Sequence, residues 1–451
     1  MDLKFRVVVL CALLIFGFAN TAKAEGWVDV KTQDGLDLNC ADYESGVIVA
    51  AGELGTVVTT ADNGKTWSKK QTGIGNNLFG VAFSNKLKIV AVGAGGMIIR
   101  STDSGATWAK VFPTGLSSSE TISDLHSIIF ASSSIGYAVG EQSLVLKTTN
   151  SGETWSKIAS PNSETVSDLN DITSVSASKL WVVGDGGAIV YSSNSGKSWT
   201  VKNSGTQNNL NSIVFTDSKH GFVAGDNRTL LRTDNAGASW SAVKISGLAT
   251  DEAINDIVFE SKTVGMLVGE SGTVLETDDG GATWSLAPSS APVELRALLI
   301  AKDNSFGFAS EGAVYLYDSS EPSKPLNFDV EGENNSVSDS TPTFTWDDAK
   351  DDTAIDYYKF RMDDGVYENV GENTTFTYDT KLTSGKHTAR VFAVDEAGNE
   401  GSVSSLTFTV SVGAVSKGTS SKVGRVGPAT AVIGKNVNFS AVITSSEQVV
   451  S

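Results

Sequence analysis

The feature that most constrains this chain is an eight-residue pattern, Ser/Thr-x-Asp/Asn-x-Gly-x-Thr/Ser-Trp, which occurs at residues 60–67, 101–108, 148–155, 192–199, 233–240 and 277–284. Self-similarity at a period of about 40–45 residues marks an architecture in which copies of one small unit stack on each other. Each copy sits at the same place in a longer unit. An apolar strand comes first, as at 210–215 or 254–259, and a second ending in Val-Gly follows, as at 135–140 or 264–269. A tight turn leads to a β-branched third strand such as 273–277, the motif makes the next turn, and its Trp opens a fourth strand. Four short strands per unit at this spacing read as propeller blades, so the fold class is all-β.

The motif has a mechanical rationale. The side-chain oxygen of Asp62, Asp103, Asn150, Asn194, Asn235 or Asp279 can accept backbone amides, the Gly supplies a left-handed conformation, and the hydroxyl ties the turn back to its strand. Trp67, Trp108, Trp155, Trp199, Trp240 and Trp284 each offer a large flat surface to bury against the neighbouring sheet. These are structural residues, and they carry no chemistry.

Counting the units tests whether the ring closes. Seven inner strands can be found, the first near 38–43 and the last at 295–300, yet the seventh unit stops at Asp318 without a motif or its Trp. At the other end, residues 27–32 stand alone and resemble 67–72. Trp27 precedes Trp67 by 40 residues, and the later motif Trp residues follow at 41, 47, 44, 41 and 44. The N-terminal strand is therefore expected to complete the last blade, giving a seven-bladed propeller over 25–320 with no exposed sheet edge at its seam.

Residues 1–24 read as a secretory leader: Lys4 and Arg6 begin it, an apolar run covers 7–19, and Ala22-Lys23-Ala24 offers a cleavage site. Cys11 lies inside the apolar run without a small residue just before it, which argues against a lipid anchor. The run is shorter than the ~20 residues a membrane helix needs, and nothing after it comes closer. The expected location is outside the cytoplasm: periplasmic, at the cell surface or extracellular. Removing the leader takes away Lys4, Arg6, Lys23 and Asp2, so the formal charge moves from −18 to −20. Such a surface repels phosphate backbones and disfavours nucleic acid. Cys40 is the one cysteine beyond the leader, so no internal disulfide is expected.

A linker at 321–325 ends the repeats. Residues 325–412 then show alternating strands at 343–346, 357–362, 374–378, 387–394 and 406–410, the rhythm of a β-sandwich. Residues 413–428 read as a second linker. Residues 429–451 have strand character but are too few to bury a core, and belong to a tail or to part of a further module.

Three residue patterns resemble known families. The motif is similar to the Asp box of sialidase-type and sortilin-type propellers. The whole unit, with Gly269-Glu270-Ser271-Gly272-Thr273 before Asp279 to Trp284, and Gly184-Asp185-Gly186-Gly187-Ala188 before Asn194 to Trp199, resembles the photosystem II stability/assembly factor family across roughly 26–318. That resemblance implies an exported, seven-bladed, non-enzymatic scaffold holding an assembling membrane-protein complex through a propeller face, with the thylakoid lumen as its location if the photosystem role applies. The family's binding surface is associated with arginines, whereas this propeller has Arg100, Arg228, Arg232 and Arg296 and is strongly acidic. Residues 385–400 resemble bacterial Ig-like and fibronectin-III-like modules.

The inventory gives little support for catalysis. His126, His220 and His387 fall on an inner strand, in a loop and in the sandwich, with no expected partners for a metal centre or a Ser-His-acid triad. No catalytic, cofactor or metal residues are therefore assigned. A sialidase needs several arginines converging on a carboxylate; Arg100 and Arg232 occupy equivalent slots away from the centre, leaving Arg228 and Arg296. One constellation does emerge. The turn between second and third strands carries Glu53, Glu141, Asp185, Asp226, Glu270 and Glu311, with Ala94 as the exception, and symmetry places them around the face opposite the motif turns. They form either ordinary solvated hairpin turns or a ring that attracts a basic segment or cations. The expected function is an exported binding or assembly scaffold for a protein partner, such as a basic segment or a membrane-protein complex. A carbohydrate-active propeller and a structural cell-surface repeat protein are the alternatives.

Overall fold

The computed structural model describes residues 26–29, 36–62, 64–114, 123–161, 168–245, 252–287, 293–301, 304–309, 313–318, 320–332, 335–351 and 353–411. Residues 1–25, where a leader is expected, the segment after 411 and Glu311 lie outside these residues. Seven four-stranded antiparallel sheets are formed among them. We number the sheets as blades 1 to 7 by their inner strands: Leu38–Glu44, Leu78–Asn85, Leu125–Phe130, Leu169–Ser176, Leu210–Phe215, Ile254–Phe259 and Leu295–Ala301. Each inner strand contacts the next, and that of blade 7 contacts that of blade 1, so the sheets form a closed ring.

Alternation explains how one short strand holds two interfaces. In the second strand of blade 1, Val47–Gly52, the side chains of Val47, Val49 and Ala51 join the cluster shared with blade 2, whereas Ile48 and Ala50 join the cluster shared with blade 7. Successive side chains of a strand point to opposite faces, so a run that is apolar throughout suits a sheet buried on both. The same rule yields seven apolar clusters, one between each pair of neighbouring blades. At roughly 1.5–3 kcal/mol for each fully buried aliphatic or Phe side chain, these interfaces are the main stabilising term of the ring.

The fourth strand of the last blade comes from the other end of the chain. Gly26–Asp29 pairs antiparallel with Val314–Asp318, with Gly26 opposite Asp318, Trp27 opposite Tyr317 and Val28 opposite Leu316. In blade 1, Ser68 faces Thr59, and Thr59 stands in its sheet where Leu316 stands in blade 7. The residues just before Val28 and Ser68 are Trp27 and Trp67, so the equivalence expected from spacing holds in the backbone register.

The motif turns behave alike in the six blades that carry them. In blade 1, Asp62 accepts the Thr66 amide at 3.0 Å and the Thr66 hydroxyl at 2.6 Å, while Thr60 Oγ1 accepts the Gly64 amide at 3.1 Å. In blade 5, Asn235 Oδ1 accepts the Ser239 amide at 3.0 Å and its Nδ2 donates to Ser239 Oγ at 2.8 Å, so the amide reverses one bond and keeps the shape. Motif tryptophans pack on the preceding blade: Trp67 stands edge-on to Phe306 and Phe308, and Trp240 edge-on to Trp181. The motif glycine has a second duty that spacing does not reveal. Gly237 has φ +72, and a Cβ built there would lie 2.1 Å from the Trp181 ring of blade 4. Left-handed backbone and close approach thus coincide at one position.

Beyond the ring, a three-stranded and a five-stranded sheet form a sandwich around Phe344, Trp346, Tyr358, Phe360 and Phe408. Its strands include Thr343–Thr345, Ile355–Met362, Thr375–Thr377, Gly385–Asp395 and Ser404–Val410, within a few residues of the sequence expectation. The connecting segment, read from sequence as a plain linker, packs on the sandwich. Ser323 N donates to Lys350 O at 2.8 Å, Lys350 N donates to Ser323 Oγ at 2.6 Å, and Ser404 Oγ donates to Pro325 O. Among the described residues no helix is long and apolar enough to cross a membrane.

Two predictions follow from the closure and the motif. Deleting residues 25–33 removes a whole strand and bares the edge Val314–Asp318; the propeller should melt at lower temperature or aggregate, and an unchanged melting temperature would show that the seam does not matter. Gly237→Ala should cost about 2–4 kcal/mol in chemical denaturation, the sum of left-handed strain and overpacking against Trp181.

Candidate functional site

The two ends of the ring are distinguished by repeated backbone bonds. At one end, the first residue of each turn between second and third strands donates its amide to the residue just before the inner strand: Glu53 to Asp37 O, Ala94 to Asn77 O, Glu141 to Asp124 O, Asp185 to Asp168 O, Asp226 to Asn209 O and Glu270 to Ala253 O, all between 2.9 and 3.1 Å. At the other end the motif turns bond to the connection between first and second strands, as in Ser104 N to Leu87 O and Ala236 N to Lys219 O. The acidic turns and the motif turns therefore occupy opposite faces. Among the described residues, Glu53, Glu141, Asp185 and Asp226 are half-buried and Glu270 is exposed.

Side chains stitch the acidic face from blade to blade. In blades 1 to 4 the amide at the tip of the turn is capped by the residue preceding the next inner strand: Leu54 N reaches Asn77 Oδ1, Gly95 N reaches Asp124 Oδ1, Gln142 N reaches Asp168 Oδ1 and Gly186 N reaches Asn209 Oδ1, at 2.7–3.0 Å. One step inside, the second residue of each inner strand reaches its neighbour. Asn39, Asn170, Asn211 and Asn255 donate to the first carbonyl of the next inner strand at 2.9–3.1 Å, and His126 Nδ1 donates to Leu169 O at 3.0 Å. Phe79 of blade 2 meets the His126 ring edge-on, and Arg296 of blade 7 donates to Asn39 Oδ1 at 3.1 Å and pairs with Asp37 at 2.9 Å. Two of the acidic residues join this belt, Asp185 through Asn170 and Asp226 through Asn211, each at 3.0 Å. Glu141 and Glu270 accept the amides of Asp124 and Ala253.

Deeper in, three aspartates bridge inner strands. Asp256 Oδ1 accepts Ser212 Oγ of blade 5 at 2.8 Å, and its Oδ2 accepts the Leu298 amide of blade 7 at 2.8 Å. Asp171 does the same between Ser127 and Ile213, and Asp42 takes the Phe83 amide. Sequence reading passed over these residues and the amide belt, because each looks like an ordinary polar position on a half-buried strand. The signal for Asp171, Asp256 and the amide belt was a polar residue recurring at the second or third position of an inner strand, next to an apolar second strand; Asp42, at the fifth position, lies outside that pattern.

Arg100, Arg232 and Arg296 do not converge. Arg100 Nε donates to Ser151 O at the motif end, Arg232 pairs with Asp234 at 2.7 Å, and Arg296 is neutralised by Asp37. A cleft at that motif end, lined by Arg100, Trp108 and Glu153, measures about 170 Å³, well under the ~300–1,000 Å³ of small-molecule sites. The expectation that the histidines lack partners needs correction for two of them: His220 meets Asp217 at 2.9 Å and His387 meets Asp363 at 2.7 Å. Both bonds are local, one within a loop and one at a sandwich turn, because a short-range partner escapes a search for spaced ligands. The Asp363 hydrogen bond holds the His387 imidazole above its ordinary range against the opposing effect of burial.

The model of the photosynthesis system II assembly factor YCF48 family matches residues 73–203, 148–234 and 233–309, more than half of the chain. The chain belongs to that family. Its second domain matches the bacterial Ig-like domain over 329–411. YCF48 from Cyanidioschyzon merolae is similar in structure at 18% identity and TM-score 0.55, covering 65% of this chain and 98% of that one. A structure of YCF48 bound to D1 peptide is similar at 16% identity and TM-score 0.54, covering 66% and 96%. The extracellular domain of the one component system BT4673 from B. thetaiotaomicron is similar at 10% identity and TM-score 0.53, covering 86% of this chain and 59% of that one. No curated protein matches the chain by sequence. At these identities the structural likeness is one of fold. The YCF48 family match begins at residue 73, so blade 1 and the closing strand are placed by the structure itself.

The bridging aspartates give a direct test of what holds this face. Asp256→Ala strips the Leu298 amide and Ser212 hydroxyl of their acceptor and should destabilise the ring by about 1–3 kcal/mol in denaturant unfolding. Asp256→Asn, which keeps an acceptor oxygen, should lose less.

Proposed function

We propose that the protein is an exported, non-enzymatic scaffold whose acidic face takes up a protein segment rich in basic side chains. The observation that carries this reading is the gathering of carboxylates at one mouth of the ring. Glu53, Glu141, Asp185, Asp226 and Glu270 stand in the turns, and Asp124 and Asp168 stand beside them at the entry to the inner strands, where Asp37 is already paired with Arg296. The hydrogen-bonded belts keep these turns in place, so partner binding there orders little that was loose. Clustered like charge also steers an oppositely charged segment toward the face. The relative solved with D1 peptide supports a peptide as the kind of ligand that a propeller of this family accepts. Here the dominant charge would be supplied by aspartate and glutamate, whereas the family's face is associated with arginine. A different partner therefore follows: a cationic segment of a protein outside the cytoplasm, where the leader sends the chain. The sandwich would hold the propeller at a distance from whatever the C-terminal segment joins.

The test is a binding titration of the mature chain against lysine- and arginine-rich peptides and their acidic counterparts, read by fluorescence anisotropy. Basic peptides should bind, and affinity should fall as salt rises. Combining Glu53→Gln, Glu141→Gln, Asp226→Asn and Glu270→Gln, which keep acceptor oxygens for the belt, should weaken binding by roughly tenfold or more at unchanged melting temperature. Equal binding by the neutralised variant would remove this face as the site.

A further inference from the structure

In blades 4, 5 and 6 the second residue of the inner strand is an asparagine whose orientation is fixed by its own donors. Asn170 Nδ2 donates to Asp185 Oδ1 at 3.0 Å and to Leu210 O at 3.1 Å. Asn211 Nδ2 donates to Asp226 Oδ1 at 3.0 Å and to Ile254 O at 3.1 Å, and Asn255 Nδ2 to Glu294 Oε1 at 3.2 Å and to Leu295 O at 2.9 Å. An amide nitrogen carries two protons, and here both are used. Carboxylates and carbonyls accept only, so turning any of these amides over would forfeit both bonds. The three Oδ1 atoms accept no donor among the described residues and stay open to solvent. Donation to an anion also polarises the amide and makes its oxygen a better acceptor.

Blade 1 shows what such an oxygen takes. Asn39 Oδ1 accepts Nη1 of Arg296 at 3.1 Å, and Asp37, two residues earlier, pairs with Nη2 of the same guanidinium at 2.9 Å. The same pair recurs in blade 4, where Asp168 stands two residues before Asn170. The two aspartates hold equivalent places: the carbonyl of each accepts the amide that opens the turn of its own blade, Glu53 for Asp37 and Asp185 for Asp168. Blade 3, however, has His126 where blade 7 has Arg296, and its Nδ1 is spent on Leu169 O. Asp168 Oδ1 caps the Gln142 amide at 2.9 Å, and its other oxygen accepts no donor among the described residues. Blade 4 thus repeats the acceptors that hold Arg296, while the preceding blade brings no guanidinium to them.

We propose that Asp168 and Asn170 bind the guanidinium of an arginine in the partner segment, with Asn211 Oδ1 as the next acceptor along the mouth. This rests on the reading that the acidic mouth takes up a basic segment, and it names the side chain that anchors that segment. Asn170 bonds to the carbonyl of Leu210, the residue before Asn211, so the two amides are neighbours. A guanidinium is planar, offers five N–H donors in a fixed fork and gives up water more readily than an ammonium. It can therefore serve a carboxylate and an amide oxygen together, as Arg296 does in blade 1. Lysine brings the charge without the fork. The turn carboxylates attract any cationic chain, whereas this pair decides which side chain stops there and in what register.

Two peptides of equal length and charge, one with arginine and one with lysine as its cations, are titrated against the mature chain by fluorescence anisotropy. The arginine peptide should bind about tenfold tighter, the effect of an added hydrogen bond to a charged group. Asp168→Asn combined with Asn170→His should erase that preference at a similar melting temperature. Both replacements have precedents in this ring: Asn77 and Asn209 cap the neighbouring turn in the place of Asp168, and His126 bonds to the next blade in the place of Asn170. Asp168→Asn alone, which leaves the amide belt intact, should lower the preference by roughly threefold or more. Equal affinity of the unchanged chain for the two peptides would overturn the anchor and leave the acidic mouth standing as the binding face. A full arginine preference in both variants would overturn it as well. Binding of neither peptide would remove the mouth and its anchor together.

Discussion

A sheet whose side chains are apolar on both faces has no stable place except between two others. Every second strand of this ring is of that kind, and the seven apolar clusters exist only because the last sheet reaches round to the first. Everything else depends on closure. If blade 7 stopped at Val314–Asp318, its outer edge would lie open and its packing on blade 1 would be held by three strands. The hydrogen-bonded belts at the acidic mouth and the motif turns at the other rim fix how each blade meets the next, and both are built from polar groups that burial obliges to find partners.

This division of labour separates what reveals the fold from what is available for binding. The recurrent motif is occupied with its own turn, with Gly237 and its equivalents seated against the preceding blade. The opposite mouth has spare acceptor capacity: Glu141, Asp185, Asp226 and Glu270 each accept a donor from their own blade and are not fully buried. Membership of the YCF48 family fixes the scaffold at identities where little of a binding surface need be shared. The charge of the mouth is thus a property of this chain and not of its fold.

Much of the architecture was legible in the sequence because a repeat shows every residue several times over. Six motifs fixed the blade period, and the spacing of Trp27 located the closing strand to the residue, since the register with Tyr317 matches that of Trp67 in its own blade. The acidic turn positions emerged by the same superposition. Residues that act across a junction had no such help. Asn211 and Asp256 are polar positions whose purpose appears when the next blade is beside them. Asp318 and Thr353 are further removed still, for they bond across the junction at 2.7 Å and no period brings a strand end of the ring and a sandwich loop together.

The pairing of Gly26 with Asp318 also sets an order of events. The strand that completes the ring is made before every blade, and its partner is among the last residues of the propeller. At roughly 5–20 residues per second, a ribosome takes some tens of seconds to produce the chain between them. For that interval the opening strand has no sheet to join, and the early blades stack with one face bare. Folding of the ring is therefore a closing step that waits on length, and whatever shields the first strand until then determines how many chains reach it.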